Sequence, residues 1–487
     1  MAVFDYDIGI LGAGAAGLTM ASGAAQLGAK TILIEKESEL GGDCLHYGCV
    51  PSKTLIKSAQ VYHDLKTAPH YGLPQFEAPP VDFRDIAARI RGVIGAIQKH
   101  DSVERFCGLG VEVEFGQAEF VDPHTVDLSG RRISAGSWLI ATGSSPAAPP
   151  VPGLAETPYL TNKDIFSLEK LPESMLVLGA GPIAVEMSQA FSRLGTKVTV
   201  VQRSGRILTN EDKDMADEVM VVLRDEGVSF LLEAKVKGAR DLGDRRELTI
   251  VDAQGQEIKL TAEVLLVALG RTANLTGLGL EAAGVEYSAK GLTLDKRLRT
   301  TQPHIYGAGD VTGAFQFTHA AGYEAGVVLA NAVFRFPRKV DYAYLPWCTY
   351  TSPELASIGL NEKLAEEAGL NFKVWTEEFK ANDRSLAEGQ QNGKIKLLVD
   401  GREKPIGVQI LGRHAGELLS EWVAALNGKV KLSTLAGAVH PYPTLAEINK
   451  RVAADLLAPK LFSEKVRRGL RFFFHLKGRA CSSEPGA

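Results

Sequence analysis

The chain has 487 residues, 45% of them hydrophobic and 23% charged, with a formal net charge of −4. This is a globular composition with room for roughly three domains, and it offers no cationic field for a nucleic-acid partner. Five cysteines in this length exclude a secreted disulfide scaffold. No apolar run reaches the ~18 residues of a membrane span, and Met1 to Asp7 carry no basic leader, so a cytoplasmic location is expected.

In chain order, Tyr6 to Leu11 is a short apolar run leading into Gly12-Ala13-Gly14-Ala15-Ala16-Gly17. An apolar helix pattern then reaches Gly28, and a second strand, Lys30 to Ile34, ends at Glu35. A GxGxxG alone is weak, but strand, glycine turn, helix, strand and terminal carboxylate together make a βαβ dinucleotide-binding unit. Gly12, Gly14 and Gly17 let the backbone approach a pyrophosphate at the helix N-terminus, and Glu35 is placed to accept from ribose hydroxyls.

The next stretch, Gly41 to Lys53, holds Cys44 and Cys49 between a glycine pair and Pro51. A structural bridge over so short a span closes almost no loop. A zinc site would need a second cysteine or histidine pair, whereas Cys107, Cys348 and Cys481 stand alone, so no metal site is expected. Two readings remain: a reactive pair, or two ordinary buried cysteines.

A polar, helical stretch runs to about His100, and a strand-rich region ends at Ala141-Thr142-Gly143. Pro146 to Pro152 reads as a linker unable to continue a strand. Met175 to Leu178 then repeats the opening, with Gly179-Ala180-Gly181-Pro182-Ile183-Ala184, a helix to Leu194 and a strand Lys197 to Val201. Glu35 lies 21 residues after Gly14, but the residue 21 after Gly181 is Gln202, with Arg203 and Arg206 close behind. A missing carboxylate beside guanidinium groups suits the 2′-phosphate of NADP; the alternative is two solvated loop arginines. Gly270 and Arg271 close this unit, Gly307-Ala308-Gly309-Asp310 is by itself a turn with an acid, and His319 near the start of a helix is also readable as a cap. Alternating strands follow from about Val340, then helices at Glu417 to Leu426 and Leu445 to Leu456.

From Lys460 to Arg479 there are seven Lys or Arg against Glu464, with Phe462, Val466, Leu470 and Phe473 or Phe474 at helical spacing. Such a helix can lie in a membrane interface, but apolar stripes more often face protein, and packing on protein is favoured. Ser482 to Ala487 reads as disordered.

The motif GGxCxxxGCxPSK, with two glycine turns, an ATG and a GAGD in order, resembles the class I FAD-dependent pyridine nucleotide-disulfide oxidoreductases over about residues 5 to 457. The resemblance implies an α/β fold of two Rossmann-like dinucleotide-binding domains plus an α+β dimerisation domain. The FAD domain would be 1–150 and 271–340, the NAD(P) domain 151–270 and the dimerisation domain 341–459, with a basic extension 460–487 and a C2 homodimer. It also implies that Cys44 and Cys49 form the redox disulfide, with Cys49 nearer the flavin and Cys44 meeting the substrate. Lys53 would pair with Glu186 beside the flavin. Thr142, Gly143, Asp310 and His319 would join the FAD site, and Gly179, Gly181, Gln202, Arg203, Arg206 and Gly270 the NAD(P) site. FAD and NADP are the expected cofactors, NAD the alternative.

The acceptor expectation rests on His440-Pro441-Tyr442-Pro443-Thr444-Leu445-Ala446-Glu447. Dihydrolipoamide dehydrogenase and glutathione reductase have a histidine five residues before the glutamate. Here that residue is Tyr442, as in mercuric reductase. A free phenol of pKa ~10 is only about 0.1% ionised at pH 7 and is a poor base, whereas imidazole near 6.5 suits the task. His440 faces the same way as Tyr442 if the segment is extended and is the candidate substitute; the Tyr442–Pro443 bond is expected to be cis. The chain departs from mercuric reductase in ending with Cys481 alone, where that enzyme has a vicinal cysteine pair. The reading is an NAD(P)H-driven reductase, mercuric reductase-like, passing electrons to a disulfide, metal-ion or quinone-type small-molecule acceptor. The alternatives are dihydrolipoamide dehydrogenase and, from another class, a flavoprotein redox sensor on the same fold.

Overall fold

Tyr6–Leu11 is buried at every position but one, and such a run forms the middle of a parallel sheet rather than a face of one. In the computed structural model, which describes residues 3–147, 149–478 and 480, it lies between Thr31–Glu35 and Arg131–Ile140. Val111–Phe115 pairs beyond Thr31–Glu35, and Ile305–Gly307 pairs parallel with the far end of Arg131–Ile140. Gly9 is required within this strand, because a Cβ there would lie 2.3 Å from the Trp138 ring. Helix α1 (Ala15–Gln26) packs on the sheet in a core that includes Ile8, Ile10, Met20, Leu33 and Leu139.

Helices α2 (Gly42–His46) and α3 (Cys49–Lys66) follow directly and carry the two cysteines. The chain leaves this domain through Ser144–Pro146, which pairs antiparallel with the returning strand Arg271–Ala273. The expected linker therefore begins as a strand; Pro146 sits at the end of a two-stranded ribbon, where a missing N–H costs little.

The second glycine turn follows Ser174–Leu178 and opens α4 (Pro182–Leu194). Its four-stranded sheet runs in the order Ser229–Leu231, Lys197–Val201, Ser174–Leu178, Val264–Val267, all parallel. A three-stranded antiparallel sheet, Lys235–Asp241, Arg246–Val251 and Glu257–Ala262, flanks it. Helix α5 (Thr318–Ala332) completes this part of the molecule.

The chain divides into two compact units, Met1–Tyr342 and Ala343–Ala487. The second holds a five-stranded antiparallel sheet, ordered Pro346–Thr349, Glu354–Gly359, Pro405–Gly412, Lys394–Asp400, Phe372–Glu378. Helices α6 (Ala415–Asn427) and α7 (Glu447–Leu461) cover it through Trp422, Val452 and Leu456. The basic tail is not one continuous helix: the chain breaks at Phe462, and α8 (Glu464–Phe474) restarts with the Ser463 hydroxyl accepting from the Val466 N–H. The expectations for Cys481 and for Ser482–Ala487 lie outside the described residues. Among the described residues no helix is long and apolar enough to cross a membrane.

Candidate active site

Cys44 lies within the short α2, and Cys49 is the first residue of α3, separated from it by Tyr47 and Gly48. That turn needs Gly48, since a Cβ would come within 2.9 Å of the Asp43 carbonyl oxygen. Cys44 is half-buried and Cys49 exposed. The hydrogen bond from Cys44 is the largest cause pulling the Cys49 thiol down to about 6; Thr318 and the Lys53 charge add to it, while burial opposes. The same bond and burial push the Cys44 thiol up. One thiolate is thus shared unequally, its charge on Cys49 at the N-terminal end of α3, where the helix dipole favours it.

Thr318, first residue of α5, places its hydroxyl 3.5 Å from the Cys49 sulfur. Its neighbour His319 is exposed and stacks on Phe317, ring centroids 5.4 Å apart. Lys53, one turn along α3 from Cys49, donates to Glu186 on α4 at 2.8 Å; the glutamate is 5% exposed. This pair joins the cysteine helix to the helix behind the second glycine turn, and it keeps a cation beside the thiolate.

The two glycine turns have the same geometry. Gly12 and Gly179 both have φ of 100°, and a Cβ on either would press on a carbonyl, that of Ala141 or Ala268, at 2.5 Å. Gly14 and Gly181 are the N-cap positions of α1 and α4, and no side chain caps either helix. A Cβ on either would meet nothing within 4 Å, so neither helix start is crowded at its N-cap. This is the shape and polarity that a pyrophosphate needs, and the first turn fits the FAD that the resemblance implies. Gly17 secures the first turn, since a Cβ there would be 1.9 Å from the Gly12 oxygen.

Beyond the turns the two units differ. Glu35 is buried and already accepts from the Ala13 and Glu37 N–H groups, leaving lone pairs on both oxygens for ribose. Gln202 donates to Ser204 within its own loop. Arg206 is turned back onto the carbonyls of Thr209 and Glu211, while Arg203 is exposed. The guanidinium left facing outward is Arg203 alone of the two.

Thr142 and Asn274 bind each other reciprocally, side chain to carbonyl, and Gly143 and Gly270 both have positive φ with open space where a Cβ would stand. Asp310 accepts from the Ser144 hydroxyl at 2.5 Å, and burial raises its carboxyl. Arg271 donates to Ser144 and lies 3.1 Å from Asp43, next to Cys44. Behind Asp310, the buried Glu324 accepts from the Gly309 N–H and from the Tyr342 hydroxyl.

In the second unit His440 and Tyr442 diverge, because the segment bends at Tyr442 and Pro443 rather than running extended. The Tyr442–Pro443 peptide is cis. The Tyr442 side chain is 69% exposed and donates to Asp383 at 2.9 Å. The imidazole of His440 is turned inward: Nε2 lies 3.0 Å from Glu421 and Nδ1 3.3 Å from the Ala438 carbonyl. Glu421 also accepts from Asn449, which in turn accepts from the Trp422 indole. Glu447 starts α7, and its Oε2 is buried with no hydrogen-bond partner among the described residues. His440 is thus paired with Glu421, not with Glu447.

Sequence reasoning missed Thr318, Arg271, Asp43, Glu324, Asp383 and Glu421 as parts of these clusters. Asp43 lies inside the cysteine motif, Arg271 follows Gly270 and Thr318 directly precedes His319; Glu324, Asp383 and Glu421 carry no local signal.

The family models match in two parts. Residues 6–325 match Pyridine nucleotide-disulphide oxidoreductase, and 345–453 match the dimerisation domain of the same family. A mercuric reductase of Bacillus cereus is 34% identical, the alignment covering 91% of this chain and 70% of that protein. A dihydrolipoyl dehydrogenase of Bacillus subtilis is 31% identical, with 91% and 96% covered. Among solved structures, the Cu(II) complex of the HOCl-induced flavoprotein disulfide reductase RclA from Escherichia coli superposes with a TM-score of 0.82. It is 27% identical and covers 91% of this chain and 99% of that one.

Proposed function

The chain belongs to the pyridine nucleotide-disulphide oxidoreductases, FAD-dependent NAD(P)H disulfide oxidoreductases with a dimerisation domain, and on that basis we propose that its acceptor is a thiophilic metal ion bound by Cys44 and Cys49. FAD, when bound, supplies the two-electron relay between nicotinamide and the thiol pair. Cys49 holds the thiolate and Cys44 the proton, two soft sulfur ligands for a soft cation. Lys53, held by Glu186, balances negative charge at the thiolate side. We assign the FAD site to 1–150 and 271–340 through Gly12, Gly14, Gly17, Glu35 and Asp310, and the NADP site to 151–270 through Gly179, Gly181 and Arg203. The dimerisation domain supports a homodimer, and we assign it to 341–459.

The observation that carries the metal reading is the chemistry at residues 440–447. A dithiol oxidase needs a base at its thiols; here the outward group is the Tyr442 phenol, raised further by its bond to Asp383. Both His440 nitrogens face oxygen acceptors, which leaves no imidazole lone pair directed outward. Mercuric reductases among the relatives and the Cu(II) complex of the structural neighbour support the same class of acceptor. A second reading, dithiol oxidation as in dihydrolipoyl dehydrogenase, draws on the His440–Glu421 pair, which is a histidine–carboxylate couple of the kind that reaction uses.

Steady-state oxidation of NADPH and NADH with Hg(II), Cu(II), lipoamide and a quinone separates these. The expected result is turnover with a metal ion and NADPH, with lipoamide slow. Efficient NAD-dependent oxidation of dihydrolipoamide, retained in Tyr442→Phe and lost in His440→Ala, overturns the proposal. No turnover with any acceptor supports a redox sensor instead.

A further inference from the structure

The basic tail is not used by any step above. Around α8 at 3.6 residues per turn, Val466, Leu470, Phe473 and Phe474 fall within an arc of about 100°, while Lys465, Arg467, Arg468 and Arg471 occupy the rest. In a core-facing helix that arc would be covered. Here no residue of α8 is buried within the chain, and Phe473 and Phe474 are 73% and 69% exposed. Leu461, Phe462 and Leu476, beyond its two ends, are exposed as well, and so is Phe472, which lies outside the arc. The stripe finds no cover within its own chain among the described residues, and the expected packing on its own dimer would have to come from a partner subunit.

Charge decides between candidate occupants. Helix α8 itself holds Lys465, Arg467, Arg468 and Arg471 against Glu464, in a chain whose net charge is −4, so cations are concentrated beside the stripe. Glu464 is already engaged by Arg468. A second copy of the helix would bring the same cations to the seam with no acid to offset them. An anionic lipid surface supplies both what the stripe needs and what the cations need: an apolar layer under a sheet of negative headgroups. The helix, about 16 Å long, is too short to span a bilayer and long enough to lie in its interface.

We propose that α8 docks this enzyme, lying flat, on an anionic phospholipid surface, with Val466, Leu470, Phe473 and Phe474 inserted and Arg467, Arg471 and Lys465 at the headgroups. The test is flotation of the full-length, FAD-replete enzyme with vesicles of phosphatidylcholine alone or of phosphatidylcholine with phosphatidylglycerol. The expected result is binding to the anionic vesicles, weakened by salt, and little binding to the neutral ones. L470D/F473D lowers partitioning by about tenfold or more, the scale set by the transfer of two large apolar side chains. R467E/R471E lowers it for anionic vesicles only. Because α8 buries nothing in the chain, both variants keep their FAD content and NAD(P)H oxidation, which separates loss of docking from loss of fold. Absence of wild-type binding, equal binding to both vesicle types, or unchanged binding by L470D/F473D overturns the proposal. So does a hydrodynamic size larger than a dimer that L470D/F473D reduces, since that assigns the stripe to a second copy.

Discussion

Replacing Cys44 by Ala or by Ser in the FAD-loaded enzyme tests whether the partner thiol sets the ionisation of Cys49. The hydrogen bond from Cys44 is the first of the causes that hold the Cys49 thiol at about 6 instead of 9.0. At pH 7 a thiol of pKa about 6 is about 90% ionised, and one of pKa about 9 about 1%. A lowered pKa favours the charged form, so the thiolate persists from high pH down to about 6 and is lost below. Neither variant can form the disulfide, so each leaves Cys49 as a free thiol with Thr318 and Lys53 in place. Serine keeps a donor to Cys49 and alanine does not. The long-wavelength thiolate-to-flavin absorbance, titrated against pH, reads the thiolate directly. Cys44→Ser should keep a midpoint near pH 6, and Cys44→Ala should rise by about one to two units, a tenfold to hundredfold loss of thiolate well below the midpoint. Equal midpoints would show that α3 and Lys53 ionise Cys49 without help from Cys44, and would refute the unequal sharing described above.

Arg203→Ala should lower the NADPH/NADH ratio of kcat/KM by roughly tenfold to a hundredfold, the worth of a charge-assisted bond to phosphate of ~1.5–3 kcal/mol. Arg206→Ala should change that ratio little, because its guanidinium is bound to Thr209 and Glu211 carbonyls. Lys53→Met should destabilise the protein in denaturant unfolding, since it removes the cation that donates to the buried Glu186. The double variant with Glu186→Leu should recover most of that loss, and simple additivity would count against the pair. Burial raises the Glu324 carboxyl from 4.5 to about 7. A raised folded-state pKa stabilises below 4.5 and is lost as pH rises through 7, so wild type should lose about 3 kcal/mol over that window. Glu324→Gln should flatten the profile, which urea unfolding at several pH values would show.

The sequence by itself determined what backbone conformation dictates locally. Gly12 and Gly179 must be glycine because both adopt φ of 100° against a carbonyl, so the two dinucleotide units were legible as a repeat. The cysteine motif was legible for the same reason, its turn being closed by Gly48 against the Asp43 carbonyl. Tertiary structure alone decided the partners of side chains. Thr318 reaches Cys49 across 269 residues and Lys53 reaches Glu186 across 133, and only the second of these was read, through a family resemblance. Tyr442 and His440 show the limit most clearly. An i, i+2 rule gives them one face in an extended chain, but the segment bends, so His440 turns to Glu421 and Tyr442 to Asp383. Spacing fixes direction only while backbone geometry is regular. Where the chain turns, the direction of a side chain is set by which distant donors and acceptors the packed elements bring within reach.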